Sequence, residues 1–114
     1  MKRIHFSDVK LEAPNVEGAK KVKLRWLINE KDGAENFAMR YFEIEKGGHT
    51  PFEQHWNEQE MFILGGEGIL IDKEKKEEKL KVGDVVFVPS MEWHQFVNTG
   101  TEILKFICVI PIKK

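Results

Sequence analysis

The sequence predicts an all-β domain, a barrel or sandwich built from short strands without a long helix. Short segments rich in β-branched and aromatic residues recur along the chain, and many alternate apolar with polar positions. Turn residues separate these segments, among them the glycine pairs at 47–48 and 65–66. No window repeats its apolar residues with the helical period of about 3.6 residues. Short strands joined by such turns are typical of sandwiches and barrels.

Seven segments meet these criteria. They are VKLRWLIN (22–29), FAMRYFEIE (37–45), QEMFILG (59–65), EGILID (67–72), DVVFVP (84–89), HQFVN (94–98) and ILKFICVIP (103–111). The charged run DKEKKEEK (72–79) predicts a solvated hairpin tip that keeps a sheet edge from pairing with other chains. Residues 1–21 carry only widely spaced apolar side chains, so we expect an N-terminal arm that packs on the barrel or on a second subunit. Residues 22–114 are expected to form one domain.

The composition of the chain argues against several classes of protein. The net charge of −1 comes from 18 basic and 19 acidic residues that are well mixed, which argues against a nucleic-acid-binding face. No apolar run approaches the roughly 20 residues that span a bilayer. The start MKRIHFSDVK lacks the apolar centre of a secretion signal, and the single Cys108 fits a reducing compartment. We therefore expect a cytoplasmic protein; its many Lys and Glu residues are common in heat-adapted proteins.

Potential metal ligands occur in two stretches, PFEQHWNEQEMFILGG (51–66) and DVVFVPSMEWHQFVN (84–98). Because alternate residues of a strand share a face, Glu53 and His55 are expected to point the same way, as are Gln59 and Met61. His94 follows a strand that ends in proline. If the two stretches meet, they offer two imidazoles, one carboxylate and one amide oxygen. Such donors suit divalent iron, manganese, nickel, copper or zinc.

The spacing of these residues resembles the two motifs of the cupins, G-x5-H-x-H-x3,4-E-x6-G and G-x5-P-x-G-x2-H-x3-N. The resemblance covers about residues 37–111 and is closest to small single-domain type-2 cupins of bacteria and archaea. It implies a jelly-roll barrel (a double-stranded β-helix) around a divalent metal, and a homodimer. The matching positions are Gly47, Glu53, His55, Gln59 and Gly66 for the first motif and Gly83, Pro89, His94 and Asn98 for the second.

Two departures change the chemistry of the first motif. Glu53 replaces its first histidine and Gln59 replaces its glutamate, so one anionic ligand is kept while an imidazole is exchanged for an amide oxygen. The resemblance thus implies a metal held by Glu53, His55, His94 and Gln59, with weaker affinity than the usual set. Glu60 is an alternative ligand only if a bulge after Trp56 reverses the parity of the strand.

Further residues are expected to surround this site. Strand parity turns Phe106 and Cys108 inward, and Met61 shares a face with Gln59. For Cys108, a small buried hydrophobic residue is the simpler interpretation than a reactive thiol. Arg40 interrupts an apolar face; it either pairs with a surface carboxylate or holds a carboxylate of a substrate inside the barrel. His49 is expected in a loop near the barrel mouth.

Two classes of function follow from this pattern. The first is a metal-dependent enzyme that performs a dioxygenase-type oxidation or an isomerisation of an oxygen-rich small molecule. The second is a binding or sensor module without turnover, in which the metal site is degenerate. The three tryptophans and eight phenylalanines are many for a short chain to bury alone, which agrees with a homodimer.

Overall fold

A computed structural model describes residues 1–113, so Lys114, the last residue of the expected domain, lies outside it. The described residues form eight strands and two short 3-10 helices, which confirms the all-β prediction. No described helix has the length and apolar character to cross a membrane. The 3-10 helices are Phe6–Asp8 and Glu30–Asp32. The strands are β1 (Lys20–Ile28), β2 (Phe37–His49), β3 (Gln59–Gly65), β4 (Gly68–Ile71), β5 (Glu77–Leu80), β6 (Val85–Val88), β7 (Gln95–Asn98) and β8 (Leu104–Pro111).

One curled antiparallel sheet contains all of these strands. Its order is β5-β4-β7-β2-β8-β3-β6, and β1 pairs with β2 beside this path. β2 is the longest strand and pairs with β1 and β8 along most of its length, then with β7 through His49 and Val97. Few of these neighbours are consecutive in sequence, so the sheet brings distant segments together. The curl encloses a core whose most deeply buried side chains are Phe106, Ile44, Ile63, Leu104 and Cys108.

The charged run at 72–79, predicted to be a hairpin tip, is only partly a loop. Residues Glu77–Leu80 form the edge strand β5, which pairs with β4. Its acidic and basic side chains are exposed and only Leu80 is buried, because one face of an edge strand meets water. The solvated tip is therefore shorter than predicted. Asp72 closes it by accepting hydrogen bonds of 2.9 Å from the backbone N–H groups of Glu74 and Lys76.

The end of β2 also differs from the prediction. The strand continues past Glu45 to His49, so His49 lies in a strand and not in a loop. A register shift between Lys20 and Val22 of the partner strand β1 accommodates the extra residues as an irregular, bulged pairing. The sequence signal was misleading here because the lysine and two glycines at 46–48 have the composition of a turn.

The N-terminal residues lie against β1 of the same chain. Glu12 and Leu24 exchange two backbone hydrogen bonds of 2.8 Å. The ring of Phe6 lies 5.2 Å from that of Tyr41, and the Arg25 guanidinium donates to the backbone carbonyls of Ser7 and Val9. This segment thereby becomes part of the wall of the cavity described next.

Candidate functional site

The eight side chains singled out from the sequence all line one cavity of about 500 Å³. The cavity lies within the curl of the sheet. These residues are Arg40, Glu53, His55, Gln59, Met61, His94, Phe106 and Cys108. Strand parity accounts for those on β2, β3 and β8, since every second residue of a strand faces the same side.

Glu53 and His55 belong to the connection between β2 and β3, not to a strand entrance as expected. Glu53 is fixed by an isolated bridge to His94, with hydrogen bonds of 3.1 Å and 2.9 Å between their backbones. The carbonyl of His55 accepts a 2.6 Å hydrogen bond from the backbone N–H of Met91. The two motif stretches are therefore joined through main-chain contacts, and these contacts aim the side chains into the cavity.

The carboxylate and the two imidazoles lie close together at this junction. His55 Nε2 is 3.0 Å from Glu53 Oε1, and the rings of His55 and His94 are 5.3 Å apart at 58°. His94 Nδ1 donates to the carbonyl of Glu92 at 2.9 Å, which leaves its Nε2 lone pair free. Burial lowers the pKa of His94 below its ordinary value, although the Glu92 carbonyl opposes this shift. His94 is therefore a neutral imidazole near pH 7, the form that ligates a metal.

Gln59 and Cys108 form the buried side of the cavity. Gln59, at the start of β3, is buried, and its Oε1 lies 3.8 Å from the Cys108 Sγ. Burial raises the pKa of the Cys108 thiol, although the neighbouring Arg40 charge opposes this shift. Cys108 has no exposed surface, which agrees with the interpretation as a small buried residue.

Arg40 lies among aromatic rings and faces the thiol. The sheet register places Trp26, Arg40, Cys108 and Met61 in one row across β1, β2, β8 and β3. Arg40 Nη2 donates to Cys108 Sγ at 3.1 Å. Its guanidinium carbon lies 5.5 Å from the centre of the Trp26 ring and 4.9 Å from that of Phe42. Trp26 is thus a cavity residue as well.

The alternative ligands lie elsewhere. Glu58 and Glu60 are exposed, as expected for a strand of regular parity, and no bulge follows Trp56 to turn Glu60 inward. His49 Nδ1 lies 3.1 Å from the carbonyl of Thr50, and His49 does not line the cavity. Sequence reasoning missed the wall formed by Glu12–Val16 and Ala19, because nothing local in that segment signals a contact with the cavity.

The types of donor suit a divalent transition metal, but the Glu53 carboxylate and the His55 ring are in direct contact with each other at 3.0 Å. Within residues 1–113, no three His, Cys, Asp or Glu side chains are gathered in an arrangement ready to hold a metal. The groups at the junction are two imidazoles and a carboxylate, with one imidazole already oriented through its Nδ1 hydrogen bond. Such a bond fixes the tautomer of a metal-binding histidine. The side chains of Glu53 and His55 are about one third exposed, at 35% and 31%.

Comparison with known proteins agrees with this architecture. A family model described as a cupin domain (Cupin_2) matches residues 40–110. The solved structure of the polyketide cyclase RemF from Streptomyces resistomycificus superimposes with a TM-score of 0.94 at 35% identity, covering 99% of this chain and 80% of that one.

Two curated relatives match a smaller share of this chain. An oxalate-binding protein of Thermotoga maritima is 34% identical over 100 residues, which are 84% of this chain and 81% of the relative. A 1-methylthio-D-xylulose 5-phosphate methylsulfurylase of Rhodospirillum rubrum is 33% identical over 76 residues, which are 67% of this chain. The matched region spans about half of the methylsulfurylase, 48% of its length. The family match, which covers more than half of the chain, and the shared jelly-roll fold show that this protein belongs to the cupins.

Proposed function

We propose that this cupin binds a divalent transition metal and acts as an enzyme on an oxygen-rich small molecule. Glu53, His55 and His94 would hold the metal, with the Gln59 amide oxygen as a further donor. The observation that carries the proposal is that the first three side chains line one cavity as neighbours, with a Glu53–His55 contact of 3.0 Å and ring centres of His55 and His94 5.3 Å apart. When bound, the metal supplies Lewis-acid or redox chemistry, suited to isomerisation or to a dioxygenase-type oxidation.

The residues of the chain have distinct parts in this proposal. Glu53 contributes the negative charge that partly balances a dication. His94 is held neutral by burial and oriented by the Glu92 carbonyl, so it is ready to coordinate. Met61, Phe96 and Phe106 form an apolar wall that excludes water from the reacting molecule. The names of the relatives, a cyclase, an oxalate-binding protein and a methylsulfurylase, all concern small organic molecules, which supports a small-molecule substrate.

The test is the metal content of protein purified without chelator, measured by mass spectrometry. We expect close to one metal ion per chain in the wild type and a loss of most of it in His94→Ala. The matched control is His49→Ala, which removes an imidazole that does not line the cavity and should leave the metal content unchanged. Substoichiometric metal that the His94 substitution does not alter would contradict the proposal.

A second candidate is a ligand-binding cupin without turnover. It is favoured by the direct contact between the Glu53 and His55 side chains and by the relative named for oxalate binding. Oxygen consumption and product formation with candidate diols and enediols separate the two functions. Binding without any turnover by fully metal-loaded protein would favour this second candidate.

We also infer a cytoplasmic homodimer. Phe62, Val85 and Phe87 are exposed on the outer face of β3 and β6, and a second subunit would cover them. Sedimentation that shows only monomer at micromolar concentration would contradict the dimer.

A further inference from the structure

Arg40 is a cation that faces the cavity without a carboxylate partner. Among residues 1–113, basic and acidic side chains are in contact at Lys2–Asp32 and at Glu53–His55, and Arg40 takes part in neither contact. The Nε of Arg40 is buried and has no hydrogen-bond partner within this part of the chain. A buried donor of a charged group is normally paired, because leaving it without a partner is costly.

Among residues 1–113, the one side-chain hydrogen bond of Arg40 is a weak one. Its Nη2 donates to the Cys108 thiol at 3.1 Å, and sulfur is a poor acceptor. The Nε of Arg25 on the neighbouring strand is also buried without a partner, but the terminal Nη1 of Arg25 donates to the backbone carbonyls of Ser7 and Val9, which are stronger acceptors than a thiol. Arg40 therefore retains donor capacity that the protein leaves unused at a cavity wall.

Aromatic side chains fix the plane of this guanidinium. Trp26 and Phe42 contact it at 5.5 Å and 4.9 Å from their ring centres. Phe42 in turn stacks on Phe106, with ring centres 5.1 Å apart, and both rings line the cavity. An oriented guanidinium in an apolar setting interacts strongly with an anion, since little water screens the charge.

We propose that Arg40 binds the carboxylate of a ligand whose apolar or aromatic body lies along the Trp26–Phe42–Phe106 wall. A guanidinium holds a carboxylate through two parallel N–H bonds. The cavity volume of about 500 Å³ accepts a body the size of one or two aromatic rings. The class of ligand is therefore an aryl or similarly apolar carboxylic acid.

The position of Arg40 connects this subsite to the proposed metal donors. Cys108 contacts Arg40 on one side and Gln59 Oε1, at 3.8 Å, on the other. A ligand whose carboxylate binds Arg40 is therefore separated from the proposed donor Gln59 by the side chain of Cys108. The inference rests on the proposed function in that it names the ligand class of the same cavity, but carboxylate binding by Arg40 does not itself require a metal.

The experiment is calorimetric titration of metal-free, chelator-treated protein with naphthoate and with its neutral isostere naphthamide. We expect the wild type to bind the acid at least about tenfold more tightly than the amide, as for a paired charged hydrogen bond. Arg40→Gln should remove this preference, because it should weaken binding of the acid more than binding of the amide. Lys105→Gln, which deletes a positive charge on the outer face of β8, should retain it.

Three outcomes would overturn the inference. The first is equal affinity of the wild type for acid and amide, a comparison that does not depend on the stability of any variant. The second is an unchanged preference in folded Arg40→Gln protein. The third is binding of the acid only after metal is restored, since the carboxylate would then be on the metal. This last result would contradict the role of Arg40 but would leave the proposed function intact. Conversely, a wild-type protein that binds the acid but no metal would contradict only the proposed function.

Discussion

Glu53 and His94, which belong to two separate motifs, exchange a pair of backbone hydrogen bonds at the mouth of the cavity. The Glu53 N–H donates to the His94 carbonyl at 3.1 Å, and the His94 N–H donates to the Glu53 carbonyl at 2.9 Å. This bridge fixes the relative position of a carboxylate and an imidazole without using either side chain. The Glu53 carboxylate is consequently left to contact His55, and the Nε2 of His94 is left without a role in the bridge.

The buried His94 imidazole should make stability fall in mild acid. Its folded pKa lies below the ordinary value of 6.5, mainly because burial disfavours the charged form. The unfolded chain therefore takes up a proton at a higher pH than the folded chain does. The contribution of His94 to the free energy of unfolding is fully present above its unfolded pKa. This contribution is lost as the pH falls through the window between the unfolded and folded pKa values. Denaturant titrations of metal-free protein from about pH 8 to about pH 5 measure this loss.

Two variants test whether His94 is the group that causes this loss of stability in acid. His94→Gln should give a flatter pH profile than the wild type, because a neutral amide replaces the titrating ring. Gln59→Ala removes another buried polar side chain of the same cavity but no titrating group, so it should keep the wild-type slope. Identical slopes in the wild type and His94→Gln would show that His94 is not the source.

Cys108 should be protected from thiol reagents in the native protein. It has no exposed surface and burial raises its pKa, so little thiolate exists near neutral pH and reagents must wait for the structure to open. We expect modification by a maleimide to be at least ~100-fold slower in buffer than in denaturant. Mass spectrometry follows the reaction, and Cys108→Ser gives the background. Complete labelling of the native protein within minutes would show that the thiol is open to solvent.

Gly66, the last residue of the first motif, should not tolerate a side chain. Its φ of +79° is in the left-handed region, and an added Cβ would overlap the carbonyl oxygen of Ile103 and lie 2.8 Å from Leu104 Cα. We expect Gly66→Ala to lower the free energy of unfolding by about 3 kcal/mol or more, through backbone strain and steric overlap together. Equilibrium denaturation measures the change.

Gly33 is the matched control for the backbone effect alone. Its φ is +91°, but no atom lies within 4 Å of an added Cβ. Gly33→Ala should therefore cost only about 1 kcal/mol, the strain of a left-handed alanine. Equal losses of unfolding free energy in Gly66→Ala and Gly33→Ala would mean that steric overlap with Ile103 and Leu104 does not destabilise the first variant.

Strand periodicity anticipated much of the candidate site, because parity is a local property of the chain. Met61 and Cys108 face the cavity as the alternation of their strands predicts, and Glu60 faces out. Strand parity is a weaker guide to Glu53 and His55, because these residues lie in a connection and not in a strand. The path of this connection is set by backbone hydrogen bonds with His94 and Met91. Strand parity also gave no signal for Glu12–Val16, whose place in the cavity wall depends on the bridge between Glu12 and Leu24.

The sequence by itself determined the all-β class and the cupin family, and it indicated the candidate donor residues, because alternation, turn composition and motif spacing are local properties of short segments. Only the tertiary structure decided that an edge strand follows the charged tip, that Trp26 and the N-terminal segment wall the cavity, and that Arg40 faces a thiol instead of a carboxylate. Those features depend on which distant strands become neighbours and in what register. That pairing is a property of the whole sheet, so no single segment encodes it.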